Sequence, residues 1–298
     1  MQRQTETFPP LLLFHGLLSS PQEFGLISHA LRGRGITHRA PRIPGYTLAC
    51  DPISPDWRHW RDAALEVVDG HVARHGPVVL GGLCMGGVLA AAVALEARHP
   101  VEGLVLMAPT FAYDGWGLLP VRHLRRLAYW TRLDRFFSVA EREPYGVKSA
   151  KIRKWVIREL EERSSSAVGP ARLPLRALRE GERMMAKMRT RLSDPDGPLR
   201  HCPLLVIHAR EDEITSLESV RQLFDSLPFR DKELAVLENS YHMITIDNDR
   251  REVVTLLERF VRRLKAGAVA SPAVATLSAA SGRAASVACR PLTMPETP

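Results

Sequence analysis

Residues 77–98 read Pro77-Val78-Val79-Leu80-Gly81-Gly82-Leu83-Cys84-Met85-Gly86-Gly87-Val88-Leu89-Ala90-Ala91-Ala92-Val93-Ala94-Leu95-Glu96-Ala97-Arg98. The apolar run up to Leu83 predicts a strand covered on both faces. From Met85 onward the pattern is that of an amphipathic helix. Between them, Gly82-Leu83-Cys84-Met85-Gly86 places glycines two residues either side of a cysteine. Glycine permits a tight, strained turn that lifts the central side chain to the N-terminus of the helix. Strand, Gly-flanked turn and helix together are the context of a nucleophile elbow, in which the central residue is usually Ser. Here it is Cys84.

Outward from this turn, strands and helices alternate. Residues 9–15 read as a first strand, and Ser20-Pro21-Gln22-Glu23 has the spacing of a capping box opening a helix to Arg32. A second strand is predicted near 36–43, a helix over 55–74, and a fourth strand over 101–108. This βαβα order requires a parallel sheet with right-handed crossovers. Between Pro109 and Arg200 the pattern stops: no strand is predicted, and 118–137, 148–162 and 174–191 read as amphipathic helices. The sheet resumes at Pro203–His208, followed by a helix at 216–227, a last strand near 233–238 and a helix over 248–265. From Ala266 the composition turns to Ala, Ser, Pro, Gly, Val and Thr without period, which reads as a disordered tail over 266–298.

The elbow and the order of elements resemble the α/β-hydrolase superfamily, particularly its carboxylesterase and monoacylglycerol-lipase branch, over about residues 9–265. The resemblance implies an α/β-hydrolase fold with a mostly parallel sheet of about six strands. Residues 1–110 and 201–265 would form the core and 111–200 a helical cap. It also implies an acid and a histidine downstream of the nucleophile. Asp212 stands just past the strand 203–208, and His242 lies in the loop after the last strand, so Cys84, Asp212 and His242 match the family's triad. Glu211 and Glu213 are one residue off register, and Asp247 reads as a cap of the final helix. The loop Phe14-His15-Gly16-Leu17 resembles the esterase His-Gly motif. The oxyanion-hole amides implied are those of Leu17 and Met85, with His15 structural.

A cysteine at the elbow changes the expected chemistry. Thiols paired with histidine at a helix N-terminus ionise more readily than free thiols, and the acyl intermediate becomes a thioester open to amines and thiols as well as water. Cysteine elbows resemble those of dienelactone hydrolases and polyhydroxyalkanoate synthases, though the chain matches neither over its length. Hydrolysis of an ester or thioester is the leading expectation. Acyl transfer to an amine, alcohol or thiol is the alternative, and non-catalytic binding of an apolar ligand the third reading.

Composition bounds the rest. The four cysteines, Cys50, Cys84, Cys202 and Cys289, have no paired spacing, which argues against a disulfide framework or zinc site and suits a reducing cytoplasm. No signal-peptide core, spanning segment or nucleotide motif is read, and no cofactor is expected. His71 and His75 lack the further ligand a metal would need. The net charge is +8, yet residues 111–200 alone hold 20 Lys and Arg against 11 Asp and Glu. That localised excess predicts an anionic partner, namely a CoA- or acyl-carrier-linked donor or an anionic membrane surface, rather than nucleic acid.

Overall fold

The computed structural model describes residues 8–48, 54, 56–118, 125–163, 165, 166 and 169–270. The expected tail from 271 onward, Cys50 and Cys289 lie outside the described residues. Strand β1 (Leu11–Phe14) leads through a 3₁₀ turn at Pro21–Phe24 into α1 (Gly25–Gly33), and β2 is only His38–Arg39. Then come α2 (Trp57–His75), β3 (Val79–Leu83), α3 (Met85–Ala94) and β4 (Gly103–Met107). The inserted segment holds α4 (Arg125–Trp130), β5 (Ser138–Ala140), α5 (Ala150–Arg163), β6 (Ser165–Ser166), β7 (Gly169–Pro170), β8 (Arg172–Pro174) and α6 (Leu175–Leu192). The chain ends with β9 (Leu204–Ala209), α7 (Leu217–Ser226), β10 (Lys232–Leu237) and α8 (Arg250–Ala270).

Six strands form one parallel sheet in the order β10-β9-β4-β3-β1-β2. Successive residues of a strand point to opposite faces, and the core divides accordingly. Leu12, Phe14, Leu80, Leu104, Leu106 and Val206 pack with α2, α3 and α6 on one face. Leu11, Leu13, Val79, Val105, Met107 and Ile207 pack with α1 and α8 on the other. Both faces are dry, which is why the strands read as unbroken apolar runs. Among the described residues no helix is long and apolar enough to cross a membrane.

Three expectations need correcting. The insertion is not purely helical: β5 pairs with β8 and β6 with β7 as antiparallel ribbons of two or three residues. Strands that short show no alternation in sequence. Of the helix expected over 118–137, residues 119–124 lie outside the described residues; among the described ones α4 ends at Trp130 and is followed by a 3₁₀ turn at Leu133–Arg135 and β5. Finally, α8 runs past residue 265 to Ala270, because Ala266-Gly267-Ala268 carries no helix stop strong enough to end it there.

Candidate active site

The elbow forms where the sequence places it. Cys84 sits between β3 and α3 with φ 57 and ψ −127, a backbone conformation costly for a non-glycine residue. Its amide donates to the Met107 carbonyl at 2.9 Å, anchoring the turn to β4. The flanking glycines are needed for space. A Cβ on Gly82 would lie 2.2 Å from the Gly86 carbonyl carbon and oxygen, and one on Gly86 would lie 2.1 Å from the Phe14 oxygen. Neither backbone can retreat, since both belong to packed elements.

Asp212 follows β9 and His242 follows β10, and the structure brings both to Cys84 at the carboxyl ends of the strands. The Asp212 carboxylate accepts from His242 Nδ1 at 2.7 Å and, through its other oxygen, from the amides of Ile214 and Thr215 at 2.8 and 2.9 Å. Burial alone would raise the Asp212 pKa. The His242 charge and hydrogen bond, with His208 and the Thr215 amide, outweigh that and hold it below the ordinary range. Burial likewise works against a charged His242, but Asp212 and the nearby Cys84 sulfur raise its pKa well above the ordinary value. His242 Nε2 is buried near the Cys84 sulfur. That sulfur also lies 3.3 Å from the hydroxyl of Thr110, just past β4.

Leu17, Met85, Cys84 and His242 all line one cavity of about 110 Å³. Met85 is the first residue of α3, so its amide lacks an intrahelical acceptor. The loop carrying Leu17 is held by buried polar contacts. His15 bonds the Gly16 carbonyl through Nδ1 at 2.9 Å and the Thr47 hydroxyl through Nε2 at 2.7 Å. Burial lowers the His15 pKa to about 4, so its ring is neutral. The Gly16 amide donates to Glu23 Oε2 at 2.7 Å.

Glu23 corrects the capping-box reading. Ser20 Oγ does accept from the Gln22 amide, but the Glu23 carboxyl turns inward to Gly16 instead of closing the box. Burial raises its pKa to about 7. Asp247 also differs from expectation: its carboxylate accepts from the amides of Lys148, Ser149, Tyr241 and Asn248, tying the His242 loop to the start of α5. Glu211 pairs with Lys148, and Glu213 accepts from the His242 amide at 3.1 Å. The rings of His71 and His75 lie against each other at a tilt of 48°, 4.7 Å between centroids.

Sequence reading missed Thr110, Glu23 and Glu141 as neighbours of the site. Thr110 and Glu141 lie beyond any recognisable motif, and Ser20-x-x-Glu23 carries a stronger local explanation than the true one.

Comparisons with known proteins bear on the family and the fold. The family model described as serine aminopeptidase, S33, matches residues 8–249. A carboxylesterase of Bacillus subtilis (strain 168) is 22% identical over 262 residues, covering 85% of this chain and 92% of that protein. A thermostable monoacylglycerol lipase of Bacillus sp. (strain H-257) is 22% identical over 245 residues, covering 82% and 86%. The structure of a monoacylglycerol lipase from Paleococcus ferrophilus superimposes with a TM-score of 0.66 at 19% identity, covering 86% of this chain and 96% of that one. The chain therefore belongs to the serine aminopeptidase S33 family and has the α/β-hydrolase fold, with a cysteine at the centre of its elbow.

Proposed function

We propose that the protein hydrolyses a carboxylic ester or thioester, with Cys84 as nucleophile, His242 as base and Asp212 as the group that orients and stabilises the imidazolium. The observation that carries this reading is the 2.7 Å Asp212–His242 bond, with His242 lining the cavity that holds the thiol. In the first half-reaction the sulfur attacks the carbonyl carbon as its proton passes to Nε2. The developing oxyanion accepts from the Leu17 and Met85 amides. The carbon–leaving-group bond then breaks, the leaving group takes the proton from Nε2, and a thioester remains on Cys84. Water, deprotonated by Nε2, releases the acid and restores the thiol. Because the intermediate is a thioester, an amine, alcohol or thiol in place of water would make the same site an acyltransferase.

The insertion acts as a cap in this reading, since Tyr113, Glu141, Tyr145, Leu173 and Leu178 close the cavity over Cys84. Its outer surface is proposed as a contact for an anionic bilayer. Trp130, Leu133, Phe136, Phe137 and Val139 are exposed within ten residues, Trp130 at 83% and Phe136 at 78%, beside exposed Arg132 and Arg135. Aromatic rings beside arginines suit the headgroup level of a membrane. A phosphorylated carrier would instead meet Arg142 at the rim of the adjoining cavity.

Mass spectrometry of the protein mixed with a p-nitrophenyl ester should show an acyl adduct on Cys84, and Cys84→Ala should lose the adduct and turnover together. Turnover retained in Cys84→Ala would reject the nucleophile. Ester binding without any adduct or turnover in the wild type would favour a binding protein.

A further inference from the structure

Two strained residues sit side by side at the carboxyl end of the sheet. Leu83 and Met107 are paired in register, so Cys84 and Ala108 are the next residues on adjacent strands. Both leave their strands with positive φ, 57 at Cys84 and 41 at Ala108, although neither is glycine. The Cys84 amide donates to the Met107 carbonyl at 2.9 Å and the Ala108 amide to the Ile207 carbonyl at 2.7 Å, so each turn is fixed to a neighbouring strand. Strain of this kind persists only where the surroundings over-determine it, and it clusters at functional sites. The first turn aims Cys84. The second carries the chain through Pro109 so that the Thr110 hydroxyl lies 3.3 Å from the Cys84 sulfur.

The position of Thr110 restricts what its hydroxyl can do. Thr110 is fully buried and does not line the cavity, so it reaches the sulfur and not the substrate. Among the described residues that sulfur is the hydroxyl's one hydrogen-bond partner. A thiol is a weak acceptor, so a buried hydroxyl facing it adds little to the fold. A sulfur that carries negative charge is a strong acceptor, because charge-assisted hydrogen bonds are roughly twice as strong as neutral ones. The bond strengthens as charge gathers on sulfur, and only an interaction that strengthens along the reaction accelerates it. His242, on the cavity wall, meets the same sulfur. Once the thiol proton has passed to Nε2 the sulfur can only accept, which makes Thr110 the donor.

We propose that Thr110 is a catalytic hydrogen-bond donor to the Cys84 sulfur and acts chiefly when that sulfur leaves the acyl-enzyme. This rests on Cys84 being the nucleophile of the hydrolase proposed above. In the thioester the sulfur is neutral and the Thr110 bond is weak. Water adds to the carbonyl carbon while one of its protons passes to Nε2. The carbon–sulfur bond then breaks, and its electron pair stays on sulfur. Thr110 stabilises that charge until the imidazolium returns the proton, leaving the free acid and the thiol. The leaving group of the first half-reaction departs into the cavity, beyond the reach of Thr110, so the donor serves the second half-reaction.

The test compares the wild type with Thr110→Val, which keeps the shape and loses the donor, and with Thr110→Ser, which keeps the donor. Each protein is acylated with a p-nitrophenyl ester, excess ester is removed, and loss of the acyl group from Cys84 is followed by mass spectrometry. In Thr110→Val this loss should slow by about tenfold or more, the size expected for one hydrogen bond to a charged group. The acylation burst should slow by less, because charge leaves the sulfur in that step. The thermal midpoint of Thr110→Val should fall by no more than about 4 °C, and Thr110→Ser should recover most of the deacylation rate. Deacylation as fast in Thr110→Val as in the wild type, equal slowing of both half-reactions, or a loss that Ser does not recover would overturn the proposal. A larger fall in midpoint would overturn it too, by marking the hydroxyl as structural. If the wild type forms no adduct and turns nothing over, the hydrolase reading fails by itself. The donor is then read from the thiolate absorbance at neutral pH, each protein set against its Cys84→Ala counterpart. A smaller signal in Thr110→Val, restored in Thr110→Ser, would support the donor, and equal signals would overturn it.

Discussion

At the scale of single residues, the elbow is defined by what cannot fit. Replacing Gly86 with Ala places a methyl 2.1 Å from the Phe14 oxygen, so β1 and α3 must separate. Gly86→Ala should lower stability by roughly 3 kcal/mol or more in denaturant unfolding, within the range seen for overpacked sites. A loss under about 1 kcal/mol would show that the turn can relax. Glu23 gives a second test, through pH. Its carboxyl titrates near 4.5 when free and is pushed up to about 7 by burial in the fold. The folded state therefore holds this proton more tightly, and stability falls as pH rises from about 4.5 to about 7. Glu23→Gln removes that fall, so its thermal midpoint should decline less than that of the wild type over this window. Asp212 works in the opposite direction, its depressed pKa contributing stability above about 4 that is lost on further acidification. A midpoint-versus-pH slope in Glu23→Gln identical to that of the wild type would count against a buried, protonated Glu23.

At the scale of elements, how much could be read from sequence depends on length and burial. β3, α3, β4 and β9 lie within a residue or two of expectation at most ends, because buried parallel strands and a Gly-flanked turn leave strong local patterns. The positions of Cys84, Asp212 and His242 at strand ends were legible for the same reason. The insertion was legible in part: α5 and α6 fall within two residues of the helices expected over 148–162 and 174–191. Its strands, however, are too short to alternate, and contacts from loops remote in sequence help to place α5. Asp247 illustrates this, because four backbone amides from three segments converge on one carboxylate. Nothing around Asp247 in the sequence announces Lys148 or Ser149. Asp247→Ala leaves those amides without their acceptor, at a cost of about 3–5 kcal/mol for a buried charged partner. The thermal midpoint should fall by roughly 6 °C or more, at about 2 °C or more per kcal/mol for a domain of this size. Loss of activity at temperatures where the variant is still folded would show that the same carboxylate also seats the His242 loop.

For the whole molecule, charge is divided between the surface of the insertion and the cavity it covers. Binding to vesicles containing anionic lipid should be measurable, should weaken as salt rises, and should be reduced by Phe136→Ser together with Phe137→Ser. Equal binding to neutral and anionic vesicles would remove electrostatics from that surface. The strand order has a consequence in time as well as in space. β9 pairs with β4, yet the whole insertion separates them in the chain. Closing so long a loop adds little at equilibrium, since each doubling of loop length costs only about 0.6 kcal/mol. During synthesis the delay is long. At about 5–20 residues per second, roughly 8–30 s pass between the making of Cys84 and of His242. For that interval the thiol stands on an unfinished sheet with neither its acid nor its base. A ribosome-bound chain is therefore the stage at which Cys84 meets oxidants and chaperones as an ordinary cysteine, before β9 and β10 make it part of a site.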